Sequence, residues 1–219
     1  MKINVNGITL HYKKTGQGSP IILLHGNGQD HTIFKAITKK MSDKHTVYAL
    51  DSRGHGESSK VKHHDYQAIM EDVVEFIQKL EIEKPVLYGF SDGGIIGLLI
   101  AINHPQMLSK LLISGANTQP DGIKKRMVLL MKVGYFFTRS KNLKMMLTQP
   151  DISNEQLNTI ITPTLVLAGK HDLIKQEHTI NIAMNIKDSK IKILKDENHF
   201  SYVLDNKKLY ELIKTFIEE

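Results

Sequence analysis

Three residues of this chain have the types needed to activate a hydroxyl as a nucleophile: Ser91, His199 and Asp172. Ser91 sits in Gly89-Phe-Ser91-Asp-Gly93, between the apolar run Val86–Tyr88 and an apolar stretch from Ile95 to Ile102 broken only by Gly97. A serine on a sharp strand-to-helix turn is held in a strained conformation with its hydroxyl presented outward. Glycines two before and two after it let strand and helix approach each other. The bare pattern is a weak signal, because glycine and serine at about 7% usage each produce it by chance roughly 0.07 times in a chain this long. Its weight comes from the strand–turn–helix setting, without which Ser91 would be an ordinary helix cap.

A serine nucleophile needs a base. Of the 11 histidines, His31, His45, His63, His64 and His178 fall on expected surface helices or their approaches, where a solvated imidazole is the ordinary case. His199 differs: it follows the apolar run Ile191–Leu194 and precedes a helical pattern. Loops at the C-terminal ends of parallel strands are where open α/β sheets gather functional groups. An imidazole, with an ordinary pKa of about 6.5, can take the serine proton and return it to a leaving group. A carboxylate must hold the opposite ring N–H and fix the tautomer. Asp172 follows the apolar run Leu165–Ala168 and is placed for that role; Asp196 and Glu197 are the alternatives nearer to His199 in sequence.

Acyl transfer also needs two N–H donors where negative charge develops on oxygen. The main-chain amide of Asp92, at the start of the helix after Ser91, is one candidate. The other is the main-chain amide of Asn27, in the loop His25-Gly26-Asn27-Gly28 after the run Ile21–Leu24.

The elements that must position these groups follow from periodicity. Strand-length apolar runs are expected at Ile3–Val5, Ile8–Tyr12, Ile21–Leu24, Val47–Leu50, Val86–Tyr88, Leu111–Ser114, Leu165–Ala168 and Ile191–Leu194. Helical spacing is expected over Ile33–Met41, Asp65–Leu80, Gly93–Asn103, Gln176–Asn185 and Tyr202–Ile217. Such alternation implies βαβ units and an eight-stranded, mostly parallel sheet with helices on both faces. Asn6-Gly7 marks a tight hairpin between the first two strands, making the sheet mixed at that edge. From Asn117 to Thr162 the alternation breaks. Met127, Leu130, Met131, Gly134 and Phe137, then Leu143, Met146 and Leu147, recur at helical spacing and are expected to line a pocket with one apolar face. The whole, residues 1–219, is expected to be a single domain with a small helical insertion over 118–162.

Composition narrows the classes. The chain has 219 residues, no cysteine and a net charge of +6. Disulfides, thiolate metal sites and a cysteine nucleophile are excluded, and a cytoplasmic setting is expected. The basic residues are mixed with acidic ones and few aromatics, so no nucleic-acid partner is expected. No apolar stretch approaches the roughly 20 residues of a membrane span, no secretory signal is expected, and no membrane partner is expected.

Taken together, these residues resemble the α/β-hydrolase superfamily, whose order of nucleophile, acid and base is matched by Ser91, Asp172 and His199 over nearly the whole chain. The string Asp51-Ser-Arg53-Gly54-His55-Gly56-Glu57-Ser58 is similar to the family's D-x-R-G-x-G-x-S loop, which is mainly structural and discounts His55 as a base. The resemblance implies an α/β-hydrolase fold with a short helical cap. It also implies a serine hydrolase acting on a small carboxylic ester through an acyl-enzyme, without metal or organic cofactor. C–C bond hydrolysis, lactone hydrolysis, perhydrolysis and ligand binding with little turnover are the alternatives. Ser91-Asp92-Gly93-Gly94 is similar to the corresponding string of some amino-acid-ester hydrolases, in which the Asp side chain contacts a substrate amine.

Overall fold

The computed structural model describes residues 1–204 and 206–219. All eight expected strands form, as β1 (Lys2–Val5), β2 (Ile8–Thr15), β3 (Ser19–Leu24), β4 (His45–Leu50), β5 (Val86–Phe90), β6 (Lys110–Ser114), β7 (Thr164–His171) and β8 (Ser189–Asn198). They make one sheet in the order β1-β2-β4-β3-β5-β6-β7-β8. The β1–β2 and β2–β4 pairs are antiparallel and the rest parallel. Val5 pairs with Ile8 across a turn in which Asn6 and Gly7 have φ of 44° and 74°, the left-handed pair that a two-residue hairpin demands.

The central strands are buried on both faces, which is why they read as continuous apolar runs rather than as an alternation. Successive side chains nevertheless serve different cores, because the strand period is two. Ile22 and Leu24 pack with α2 (Tyr66–Lys79) and α3 (Asp92–Asn103) on one face. Ile21 and Leu23 pack on the other with α1 (Lys35–Met41) and with the C-terminal helices α8 (Ser201–Leu204) and α9 (Asn206–Glu218). The expected helix Ile33–Met41 begins as a 3-10 turn over His31–Phe34, capped by the Asp30 side chain, before α1 takes over. The expected helix Tyr202–Ile217 is crossed by residue 205, which lies outside the described residues.

Between β6 and β7 lie a 3-10 turn (Pro120–Gly122) and the helices α4 (Lys125–Thr138), α5 (Lys141–Thr148) and α6 (Asn154–Asn158). Met127, Met131, Leu143 and Met146 form, with Ile123 and Ile174, a small apolar cluster of their own. Leu130 and Phe137, expected on the same inner face, point outward instead and are 61% and 78% exposed. At about 100° per residue they lie roughly 100° and 120° from Met131, too far round α4 to share its contact face.

β8 also runs further than its apolar core suggests, with Asn198 still paired to His171 after a register shift between Gly169 and His171. A side chain at Gly169 would overlap the Glu197 carbonyl, so glycine is what lets the two strands meet there. Asp196 and Glu197 therefore belong to a strand rather than to a loop. After β7 (Thr164–His171), α7 (Gln176–Met184) returns the chain to the α2 side through Ile182 and Ala183.

The loop after β4 is tied down by an ion pair and hydrogen bonds. Arg53 donates through Nε and a terminal nitrogen to the two oxygens of Asp72 on α2, which also accepts from the Asn6 side chain at 3.2 Å. Asp72 is almost fully buried, so this pair anchors both the loop and the β1–β2 turn to the same helix.

Candidate active site

Ser91, Asp172 and His199 follow directly on β5, β7 and β8, so the parallel sheet delivers all three to one edge. Ser91 has φ of 52° and ψ of −115°, a left-handed conformation that a residue with a side chain adopts only when its surroundings impose it. The imposing contacts are visible. A Cβ at Gly89 would overlap the Gly93 carbonyl, and one at Gly93 would overlap the Leu24 carbonyl. Strand and helix are thus pressed together with Ser91 between them. Its amide donates to the Ser114 carbonyl at 2.7 Å, extending the β5–β6 ladder by one bond.

His199 is buried, and its Nε2 lies 3.2 Å from Ser91 Oγ while its Nδ1 lies 2.6 Å from Asp172 Oδ1. Asp172 Oδ1 also accepts from the Ile174 amide at 3.0 Å. The ring of His199 is flanked by Phe90 and Phe200, at centroid distances of 4.9 and 4.8 Å. Of the three carboxylates considered, Asp172 is the one against the imidazole; Glu197 pairs with Lys208. The structure joins Ser91, His199 and Asp172 in one hydrogen-bonded chain.

Gly115 has no counterpart in the sequence reading. It has φ of 62°, and a Cβ there would come within 2.7 Å of His199 Cε1 and 3.3 Å of Asp172 Oδ2. Only glycine leaves room for the pair. A glycine directly after an apolar strand was the one signal available for it.

The loop after β3 lies against the serine: a Cβ at Gly26 would sit 3.0 Å from Ser91 Cβ. The Gly26 amide is already donated to the Gln29 side chain at 3.1 Å. Asn27 donates its side-chain amide to Asp92 Oδ2 at 3.0 Å, which fixes the loop to the start of α3. As the first residue of α3, Asp92 has a main-chain amide with no acceptor inside the helix.

Behind the loop, buried His25 accepts from the Ser52 amide through Nε2 at 3.1 Å. Its Nδ1 must then carry the proton and donate to the Gly26 carbonyl, 2.8 Å away. Burial is the main cause that lowers its pKa to about 4, outweighing the opposing hydrogen bond to Gly26. Neutral His25 therefore braces the Asn27 loop against the Asp51–Ser58 loop.

The Asp92 side chain also turns into the site. It is buried, accepts from Tyr66 Oη at 2.8 Å, and is pushed above the usual carboxylate range by burial, which the Asn27 and Tyr66 hydrogen bonds offset only in part. A cavity of about 110 Å³ opens here, lined by Ser91, His199, Asp92 and Tyr66 on the sheet side and by Met127, Met131 and Met146 beneath α4 and α5.

His63 is exposed as expected, whereas His31 and His178 are less solvated than a surface helix implies. His31 is half-buried with Nδ1 2.8 Å from Asp51 Oδ1, and His178 Nε2 accepts from the Thr118 amide at 3.0 Å. Neither joins the Ser91 chain. His11, His31 and Asp51 form the one cluster with metal-ligand geometry among the described residues. The Asp51 oxygens in it already accept from both rings and from the His31 and Glu57 amides. Burial is the largest single influence on Asp51 and raises its pKa, but these hydrogen bonds together outweigh it and leave the carboxyl below its ordinary value. A saturated carboxylate of this kind is a structural hub, consistent with its place in the D-x-R-G-x-G-x-S loop.

A family model described as alpha/beta hydrolase fold matches residues 19–144, more than half of the chain. The protein belongs to the α/β-hydrolase family. Among characterised relatives, serine hydrolase BPHL from Homo sapiens is 28% identical over a 250-residue alignment covering 99% of this chain and 86% of the human protein. An esterase from Exiguobacterium antarcticum superposes with a TM-score of 0.86 at 22% identity, covering 98% of this chain and 97% of the esterase. The enol-lactonase from Burkholderia xenovorans LB400 superposes with a TM-score of 0.84 at 20% identity, covering both chains completely. No helix among the described residues is long and apolar enough to cross a membrane.

The His25 environment has a measurable consequence. Because its folded pKa lies below the unfolded value, its contribution to stability is complete above about pH 6.5 and is lost as pH falls from there toward about 4. Urea unfolding at pH 7 and pH 4.5 should show a loss of which about 2–3 kcal/mol is absent from His25→Gln. Equal pH slopes in the two proteins would contradict the assignment.

Proposed function

We propose that this protein is a serine hydrolase that cleaves a small carboxylic ester through an acyl-enzyme on Ser91. The observation that carries the reading is the unbroken chain from Ser91 Oγ through His199 to Asp172, at 3.2 and 2.6 Å. His199 Nε2 takes the hydroxyl proton as Ser91 Oγ bonds to the ester carbonyl carbon. Asp172 holds the Nδ1–H and stabilises the imidazolium. The main-chain amides of Asn27 and Asp92 receive the oxyanion, the second aided by the N-terminal end of α3. Collapse of the tetrahedral species expels the alcohol, which takes its proton from His199. Water then repeats the sequence in reverse and releases the acid.

The helices α4 and α5 act as a short cap, and their three methionines give the cavity an apolar, adaptable wall. At about 110 Å³ the cavity suits a short acyl group. The ester hydrolysis named for the Exiguobacterium neighbour fits this chemistry, as does the serine mechanism named for the human relative. The cysteine-free sequence suits a cytoplasmic setting. Turnover of p-nitrophenyl butyrate should fall by at least about 10³-fold in Ser91→Ala and by roughly 10³–10⁴-fold in Asp172→Asn, with kcat rather than KM carrying the loss. Either variant retaining wild-type kcat would refute the mechanism.

One observation favours a second reading for the substrate. The Asp92 carboxylate is buried beside the nucleophile, with Asn27 and Tyr66 as its hydrogen-bond partners. A substrate ammonium there would supply the missing positive charge, and an α-amino-acid ester carries one next to its scissile carbonyl. On this reading Asp92→Asn raises KM for an amino-acid p-nitrophenyl ester about tenfold or more while changing p-nitrophenyl butyrate hydrolysis only a few-fold. Equal effects on both substrates would rule it out.

A further inference from the structure

Helix α4 carries two apolar faces, and the cavity accounts for only one. Met127 and Met131 turn inward, whereas Leu129, Leu130, Val133, Phe136 and Phe137 all face solvent and are between 48% and 78% exposed. Their spacing of one, three, three and one residues places them in a continuous strip about 120° wide along the helix. Five large apolar residues in one exposed row are more than the scattered single exposures normal for a soluble surface.

The charge around the strip is one-sided. Between Lys124 and Thr148 the chain contains seven Lys or Arg residues and no Asp or Glu. Lys125 and Lys132 border the strip on α4, Arg126 lies within its arc, and the Arg139 guanidinium sits 5.7 Å from the centre of the Phe136 ring. Among the described residues none of the seven forms an ion pair with a carboxylate. Beside α4 runs a groove of about 470 Å³ with Lys125, Lys132 and Lys175 on its walls, alongside Asp121.

We propose that α4 docks the protein on an anionic lipid surface, with the Leu129–Phe137 strip entering the acyl boundary and the surrounding Lys and Arg residues meeting headgroup phosphates. The convex form of a single helix suits insertion between lipids, and an exposed row of Phe and Leu with Lys and Arg beside it offers both the apolar area and the positive charge that hold a helix at an anionic lipid interface. Charge argues against a second copy of this chain as the occupant, since two such faces would bring Lys125, Arg126, Lys132 and Arg139 of each copy, eight cations, together. Docking would set the methionine-lined cavity, beneath the same helix, at the interface. It would also replace the expectation of no membrane partner with peripheral attachment.

Co-sedimentation of the full chain with sucrose-loaded vesicles tests this without any reference to turnover. Vesicles of phosphatidylcholine containing about 30% phosphatidylglycerol should bind at least about tenfold more protein than phosphatidylcholine alone, and binding should fall steeply between roughly 0.05 and 0.5 M NaCl. The double variant Phe136→Ser/Phe137→Ser should lose about tenfold or more in partitioning while keeping the wild-type melting temperature, because both side chains are already exposed. Ser91→Ala should bind as wild type does. Equal binding to neutral and anionic vesicles, or undiminished binding by the double variant, would overturn the proposal. So would a concentration-dependent dimer in light scattering that the double variant abolishes, without vesicle binding by the wild type.

Discussion

The close approach of β5 and α3 is the constraint on which the site depends. Gly89 and Gly93 are pressed against neighbouring backbone so closely that neither position admits a Cβ, and Ser91, caught between them, is held at positive φ. That cost is borne by the packing around it: Tyr88, Phe90, Ile95 and Ile96 are buried on the strand and helix that flank the turn. A serine relieved of this constraint would relax toward the helix and carry its hydroxyl away from His199. The same turn leaves the first amide of α3 without an acceptor inside the helix, and Gly26 lies against the serine.

The parallel sheet does the rest of the positioning. Because β3, β5, β7 and β8 run in one direction, their C-terminal ends share an edge, and the loop or residue following each contributes to one cluster. Two polar hubs keep that edge in place from behind. Asp51 gathers His11, His31 and the Glu57 amide, and Asp72 gathers Arg53 and Asn6. His25 joins the first of these loops to the one carrying Asn27. None of these residues lines the cavity; they tie the loops around it to one another and to α2.

Much of this was legible in the sequence because it depends on local order. Each strand is a run of apolar residues of the right length, and the residue just past such a run is where a parallel sheet presents chemistry, which singled out Ser91, Asp172 and His199. What was not legible depends on adjacency between distant segments. Gly115 matters only because His199 and Asp172, far along the chain, need the space its side chain would fill. The bracing role of His25 requires Ser52, and the orientation of Asp92 requires Tyr66. The phase of α4 is hidden in the sequence for a different reason. With apolar residues at most of its positions, the helix offers two stripes of equal quality, and periodicity does not say which one meets the core. The strand β8 was extended past its apolar run by pairing with β7, a contribution no single segment displays.

In the proposed mechanism Ser91 Oγ is a nucleophile made reactive by His199 and the folded turn. Intact-mass and peptide mass spectrometry after treatment with a fluorophosphonate measures this directly, since the reagent reacts with an activated serine rather than with serines at large. A single adduct on Ser91 is predicted in the native protein, with labelling abolished by urea unfolding and slowed by orders of magnitude in His199→Ala. Absence of an adduct on native Ser91, or equal labelling of folded and unfolded protein, would contradict it.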